Sequence, residues 1–293
     1  MLEPGNHFMT INAGEMKRHF IIHVPPGYDR HRPAAVVMMF HGGGGTGTAA
    51  MRETHWSDKS DQCGFLAVFP EASRPDPSNP ADFRNNPQIW NDGSARFGKE
   101  VDDVEFIKTL IEYLSVHYNI DSRRIYATGF SNGASMSYRL GMELSGKIAA
   151  IAPVAGALWT EDPKPDRPIP LLYITGTKDP LNPINGGVPR LAIGGRGLGG
   201  KPKPPVEKQI NIWVRMLGCP DLPDVVSMNG GITRKSYGPC KAGTEVVYYT
   251  IEGMGHTWPG GFSILPEEWV GKTTDKMKAN DVIWDFFKKH PMP

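Results

Sequence analysis

The residues with the plainest chemical meaning lie between Arg124 and Ser137, RIYATGFSNGASMS. Gly129-Phe130-Ser131-Asn132-Gly133 is a G-x-S-x-G set between an apolar run and a helical pattern. A chain leaving a strand here turns sharply with Ser131 at the apex and enters a helix. Glycines two residues either side leave room for that strained turn. The hydroxyl is then held clear of the sheet, at the positive end of the following helix. A serine hydroxyl is a poor nucleophile at neutral pH. It needs an imidazole to take its proton and return it to a leaving alcohol. The imidazole needs a carboxylate to fix its tautomer and stabilise the imidazolium.

Candidates for both partners follow. Asp179 stands in Gly176-Thr177-Lys178-Asp179-Pro180, past an apolar run from Pro170 to Ile174. His256 stands in Gly255-His256-Thr257-Trp258-Pro259-Gly260, past another run from Glu245 to Ile251. Asp162, Asp166 and Asp221 are also loop acids, but only Asp179 directly follows a strand pattern at the required place. Serine, then aspartate, then histidine is the chain order of α/β-hydrolases. An oxyanion hole is expected from His41-Gly42-Gly43-Gly44-Gly45, after the apolar strand Ala34 to Phe40. Gly43 is the expected donor there, with Gly42 and Gly44 as neighbours in the same loop, paired with the amide of Asn132. One such donor is worth on the order of 3 kcal/mol of barrier. His41 is expected to orient the glycine loop. His41, Gly42, Trp90 and Trp258 are the candidate substrate contacts. Either tryptophan could stack on an aromatic acyl group or polyester chain, or pack in the core. Phe130 is expected under the elbow, and His55 and His117 as structural or exposed residues.

The glycine loop has a second reading. Gly42, Gly44 and Gly47 satisfy G-x-G-x-x-G, with Glu71 at about the dinucleotide-binding distance. Gly42 to Thr48 resembles a phosphate loop but has Thr48 where lysine is needed. Neither explains the other three sites, so the hydrolase reading is preferred. No H-E-x-x-H or paired His/Cys spacing suggests a metal. With 293 residues, 39% hydrophobic, and a net charge of +1, the chain has a globular composition with no bias toward nucleic acid or anionic membrane. No apolar run of about 18 residues predicts a membrane span. The first residues lack a signal pattern, which implies a cytoplasmic protein or a leader already removed. Nothing in the sequence speaks to oligomeric state.

The positioning elements alternate between strand and helix patterns, predicting an α/β class with a mostly parallel sheet covered on both faces. Strands are predicted at 6–12 and 19–25, as a hairpin turned at Gly14, and at 34–40, 65–69, 125–129, 148–154 and 171–174. Helices are predicted at 48–63, 102–118, 134–144, 206–217 and 275–290. Residues 73–87 read as loop. Residues 185–205, dense in Gly and Pro and carrying Arg190, Arg196, Lys201 and Lys203, read as a lid, a binding loop or a plain surface excursion. Cys63 is expected buried. Cys219 and Cys240 flank a Gly/Pro-rich connection from Pro220 to Pro239, and read equally as a disulfide or as two free thiols.

Together, His41-Gly42-Gly43-Gly44, Val101-Asp102-Asp103-Val104, Gly129 to Ser135, Gly176 to Pro180, Gly186-Gly187 and Gly255 to Gly260 resemble the poly(3-hydroxybutyrate) depolymerase and feruloyl esterase group of carbohydrate esterase family one. The match runs in order over about the whole chain. The resemblance implies one α/β-hydrolase domain over 1–293, a Ser131–Asp179–His256 triad, no cofactor or metal, secretion, and a cystine joining Cys219 to Cys240. Two departures weigh against polymer degradation: no separate binding domain is visible, and the first glycine loop lacks the cysteine that many members carry. The expected activity is hydrolysis of feruloyl esters of plant polysaccharide through an acyl-enzyme, on a small-molecule or polymeric ester. The alternatives are a polyester depolymerase, an acyltransferase, and a non-catalytic polysaccharide-binding protein.

Overall fold

Seven consecutive apolar residues, Ala34–Phe40, form β3 and are buried along its whole length. Such a run belongs to a strand covered on both faces. The computed structural model describes residues 3–94, 101–189, 202–228 and 230–293. Along the chain the strands are β1 (Gly5–Ala13), β2 (Met16–Val24), β3, β4 (Leu66–Pro70), β5 (Ile120–Phe130), β6 (Ala150–Val154), β7 (Leu171–Gly176), β8 (Asp224–Met228), β9 (Ile232–Tyr237) and β10 (Val246–Ile251). The helices are α1 (Gly47–Thr54), α2 (Trp56–Cys63), α3 (Asp103–His117), α4 (Asn132–Glu143), α5 (Val206–Leu217), α6 (Glu267–Val270) and α7 (Ala279–Lys289).

The strands form one sheet in the order β1-β2-β4-β3-β5-β6-β7-β10-β9-β8. From β4 to β10 neighbours run parallel, and an antiparallel pair closes each edge. Alternation along β3 splits the core. Val36, Met38 and Phe40 pack with Phe106 and Leu110 of α3, Leu140 of α4 and Trp213 of α5. Ala35, Val37 and Met39 pack with Ala50 of α1, Trp56 of α2 and Phe287 of α7. This layering places the ends of β3, β5, β7 and β10 at one rim of the sheet, where their loops meet.

Three expectations are corrected. The helix predicted over 48–63 is two helices, broken at His55, whose φ is 56°. The carbonyls that would continue α1 are taken elsewhere: Glu53 O accepts from Phe262 N at 3.2 Å, and Thr54 O from Asn280 Nδ2 at 2.6 Å. Cys63 is free and exposed, because α2 buries only Trp56 and Ser60. The connection from Pro220 to Pro239 contains the β8–β9 hairpin, which extends the sheet beyond β10. A disulfide joins Cys219, just past α5, to Cys240, just past β9.

Candidate active site

β5 ends at Phe130 and α4 begins at Asn132, so Ser131 alone carries the turn, at φ 57° and ψ −115°. That conformation costs a non-glycine residue about 1–3 kcal/mol and survives only where its surroundings dictate it. Ser131 N is tied to Val154 O at 3.0 Å. A Cβ on Gly129 would run into Gly133 O, and one on Gly133 into Phe40 O. Both flanking glycines are thus required by close backbone approach.

The acid and base come from the loops after β7 and β10. His256 Nδ1 lies 2.7 Å from Asp179 Oδ2, with both residues buried. Asp179 Oδ1 accepts from the amides of Leu181 at 2.8 Å and Asn182 at 2.7 Å. Burial pushes this carboxyl up, but His256, the Asn182 amide and the Lys203 charge together outweigh it and hold it below its ordinary 3.8. An ionised carboxylate at Nδ1 places the ring proton there and leaves Nε2 free to act as a base. Backbone contacts fasten these loops together. Lys178 N donates to Met254 O at 3.0 Å, Gly255 N to Lys272 O at 2.9 Å, and His256 N to Val270 O at 2.5 Å.

The glycine loop after β3 meets the elbow. A Cβ built on Gly42 would stand 3.5 Å from Ser131 Cβ, and one on Gly43 would stand 3.6 Å from Asn132 Cβ. Among the described residues, the amides of Gly43 and Asn132 have no protein acceptor. His41 Nε2 accepts from Ala72 N at 3.0 Å, so its proton sits on Nδ1 and is donated to Gly42 O at 2.7 Å. Burial also lowers the His41 pKa, which keeps the ring neutral in this bridging role. Gly44 N donates to Gln88 O at 2.7 Å. Glu71 accepts from Gly47 N at 2.9 Å and Gln88 Nε2 at 2.5 Å, so it braces the loop where a dinucleotide site would need it on a ribose.

Asn132 is locked by the loop before α3. Its Oδ1 accepts from Trp90 N at 2.8 Å, and its Nδ2 donates to Trp90 O at 3.2 Å and Asp92 Oδ2 at 2.8 Å. Asn91 N donates to Asp103 Oδ2 at 2.7 Å, and Asp103 Oδ1 takes Arg18 Nη2 at 2.6 Å in a buried ion pair. Asp92, Asp103 and Arg18 are positioning residues that the sequence reading missed. The only signal for any of them was Asp103 within Val101-Asp102-Asp103-Val104.

Ser131, Asn132, Gly42, Gly43, Asp179 and His256 converge at this rim. The ring of Phe130, the residue before Ser131, lies 4.8 Å from the ring of His256, so Phe130 braces the base as well as the elbow. Of the expected substrate contacts, Trp90 is buried away from the small crevice beside His256, whereas His41 and Trp258 are buried but line it together with His256. Trp90 is 1% exposed and donates through Nε1 to His41 O at 3.1 Å. Trp258 is 2% exposed and donates to Asn280 Oδ1 at 2.9 Å. Their indoles hold loops together from beneath, and His41 is buried with them. His55 and His117 are exposed. A crevice of ≈ 10 Å³, room for about one water, lies between Gly42, Phe130, His256 and Phe262. Phe262 is 45% exposed and Ile264 55%. Their loop is held to α1 by Glu53 Oε1, which accepts from Ile264 N at 3.1 Å. Within 185–205, Gly187 and Lys203 pair through both amides, closing the base of that segment. Arg190, Arg196 and Lys201 lie outside the described residues. No group of three or more His, Cys, Asp or Glu among the described residues is arranged to hold a metal, and no helix there is long and apolar enough to cross a membrane.

Comparison with known proteins agrees with this geometry. The phospholipase/carboxylesterase family profile matches residues 27–188. A putative esterase, NocK, from Nocardia uniformis subsp. tsuyamanensis is 28% identical over 289 residues, 92% of this chain and 78% of that protein. Feruloyl esterase B from Piromyces equi is 33% identical over 213 residues, 70% of this chain. The matched part is 34% of that enzyme's length, so this chain spans about a third of it. The acetyl xylan esterase of Aspergillus awamori superposes with a TM-score of 0.60 at 14% identity, over 86% of this chain and 94% of its own, which establishes a shared fold.

Proposed function

The chain belongs to the phospholipase/carboxylesterase family of α/β-hydrolases and is a carboxylic ester hydrolase, and we propose that it cleaves hydroxycinnamoyl esters carried on plant polysaccharide. Ser131 Oγ attacks the ester carbonyl as His256 Nε2 takes its proton. The oxyanion rests on the amides of Gly43 and Asn132. The intermediate collapses and the alcohol leaves with the proton from His256. Water, activated by the same imidazole, then attacks the acyl-enzyme, releasing the acid and restoring Ser131. Asp179 stays ionised throughout and holds the imidazole tautomer.

The observation that carries this reading is a serine in a strained, positive-φ turn whose preceding residue, Phe130, packs against the His256 of a buried Asp–His pair. The similarity to feruloyl esterase B supports the acyl class. The crevice beside His256 is too small for a ring, so the acyl group lies across it against exposed Phe262 and Ile264. The Cys219–Cys240 bond supports a secreted enzyme, since such bonds persist in oxidising compartments. The one continuous sheet supports a single catalytic domain.

Hydrolysis of methyl ferulate, p-nitrophenyl butyrate and amorphous poly(3-hydroxybutyrate), measured side by side, tests the reading. Methyl ferulate is expected to be cleaved fastest, with all activity lost in Ser131→Ala. Activity confined to the butyrate and the polymer overturns the hydroxycinnamoyl assignment in favour of a polyester.

A further inference from the structure

A second concave site lies at the opposite end of β5. Asn119 immediately precedes that strand and Ser131 immediately follows it. β5 is bulged, with Ile120 paired to Ala34 and Gly129 to Phe40, so the two sites lie on the order of 25 Å apart. The pocket holds ≈ 460 Å³ and is lined by Tyr28, Tyr113, Tyr118, His117, Arg30 and Asn119, with Met9 of β1 completing the wall. That volume, with aromatic walls and a few convergent polar groups, is typical of a small-molecule site.

The aromatic wall is held in place before any ligand arrives. Tyr28 N is tied to Pro25 O at 3.0 Å, and its hydroxyl accepts from Asn119 N at 2.9 Å. Asn119 Nδ2 donates to Arg30 O at 2.8 Å. The rings of Tyr28 and Tyr118 meet edge to face with centroids 6.4 Å apart. Tyr113 lies 4.2 Å from His117 and meets buried Phe20 edge-on at 5.8 Å. Burial pushes the Tyr118 phenol up to about 12, so it stays a neutral hydrogen-bonding group at any working pH. Side chains already fixed in this way cost little to order on binding.

The lining selects the ligand class. No carboxylate faces the pocket, which argues against a cation, and two basic side chains are few for a phosphorylated ligand. Ring faces suit the C–H faces of a sugar, while Arg30, His117 and the phenols match its hydroxyls. We propose that this pocket binds a sugar residue of the polysaccharide that bears the ester, and holds the enzyme on that polymer from the end remote from the catalytic serine. The inference rests on the polysaccharide-ester reading.

The experiment measures retention on insoluble xylan and titration with xylohexaose, alongside methyl ferulate hydrolysis. Tyr118→Ala is expected to weaken both binding signals about tenfold, or 1.4 kcal/mol, while leaving methyl ferulate kinetics unchanged. Arg30→Ala and His117→Ala change exposed side chains and are expected to fold normally, each weakening binding less than Tyr118→Ala. Wild-type enzyme labelled at Ser131 with a fluorophosphonate is expected to keep its retention. Loss of retention on labelling would place the sugar contact in the catalytic cleft and overturn the proposal. So would undiminished binding in all three variants, or no binding by the wild type. Retention without methyl ferulate hydrolysis would instead refute the hydroxycinnamoyl reading and leave the sugar pocket standing.

Discussion

The two flanks of the candidate site are held by different kinds of interaction. Around Ser131 and the glycine loop, side chains do the holding: Asn132, Asp92, His41, Gln88, Glu71 and the buried Arg18–Asp103 pair form a hydrogen-bonded frame under the elbow. Around Asp179 and His256, main chain is fastened to main chain across the loops at 177–178, 253–256 and 270–272. A side-chain frame can be taken apart one substitution at a time. A backbone seam resists most substitutions and yields only where a side chain would intrude, or where the acid or base itself is changed.

This contrast can be broken or sharpened by experiment. Ser131→Ala removes the proposed nucleophile and is expected to lower kcat on p-nitrophenyl butyrate by about 10⁵- to 10⁶-fold. Activity near wild type would end the triad assignment. Asp179→Asn leaves the seam intact but takes away the charge that sets the His256 tautomer, at an expected cost of about 10⁴-fold in kcat.

Asp179 also predicts a pH dependence. Its folded pKa is lowered, so its stabilising contribution is complete above the ordinary carboxylate value of 3.8 and is lost as pH falls below it. The gap in urea midpoint between wild type and Asp179→Asn is therefore expected to narrow from pH 7 to about pH 3. A constant gap would mean that the ionised carboxylate contributes nothing to folding.

On the other flank, Asn132→Ala deletes three hydrogen bonds to the Trp90–Asp92 loop without touching the Asn132 amide. The resulting shift of the elbow is expected to cost about 10²-fold in kcat with KM little changed. A loss confined to KM would show that the frame positions substrate and not the oxyanion donors. The double variant Cys219→Ser, Cys240→Ser opens a loop with a sequence separation of 21. It is expected to lose about 3 kcal/mol of stability by denaturant titration, with kcat unaffected. The smallest effect is expected from Thr177→Val, which removes one side-chain acceptor of Gly253 N within the backbone seam. Its kcat should fall less than that of Asn132→Ala in the same assay. The reverse ranking would contradict the contrast between the flanks.

Much of this could be read in the linear chain because it depends on local rules. Ser131, Asp179 and His256 were chosen as candidates from their order and from the strand patterns before them, and α5 was predicted with its observed ends. A strand–turn–helix with glycines at 129 and 133 is dictated over a few residues, so its signal survives without the fold. What the tertiary structure decided depended on neighbours distant in sequence. Trp90 and Trp258 read equally as substrate platforms or as core packing in the sequence, and only the fold supplies their indole N–H groups with acceptors at His41 and Asn280 and buries them. His55 breaks a helical pattern because Phe262 and Asn280 take the carbonyls that would have continued it. The hairpin at 224–237 has its strand residues around a glycine turn, but only β10 beside it turns that segment into sheet. Asp92 and Asp103 look like any other loop and helix-start acids until Asn132 and Arg18 are brought to them. Residue order and periodicity specify elements and reacting groups. Burial and hydrogen-bond partnership are properties of pairs of elements, and exist only once the sheet has assembled.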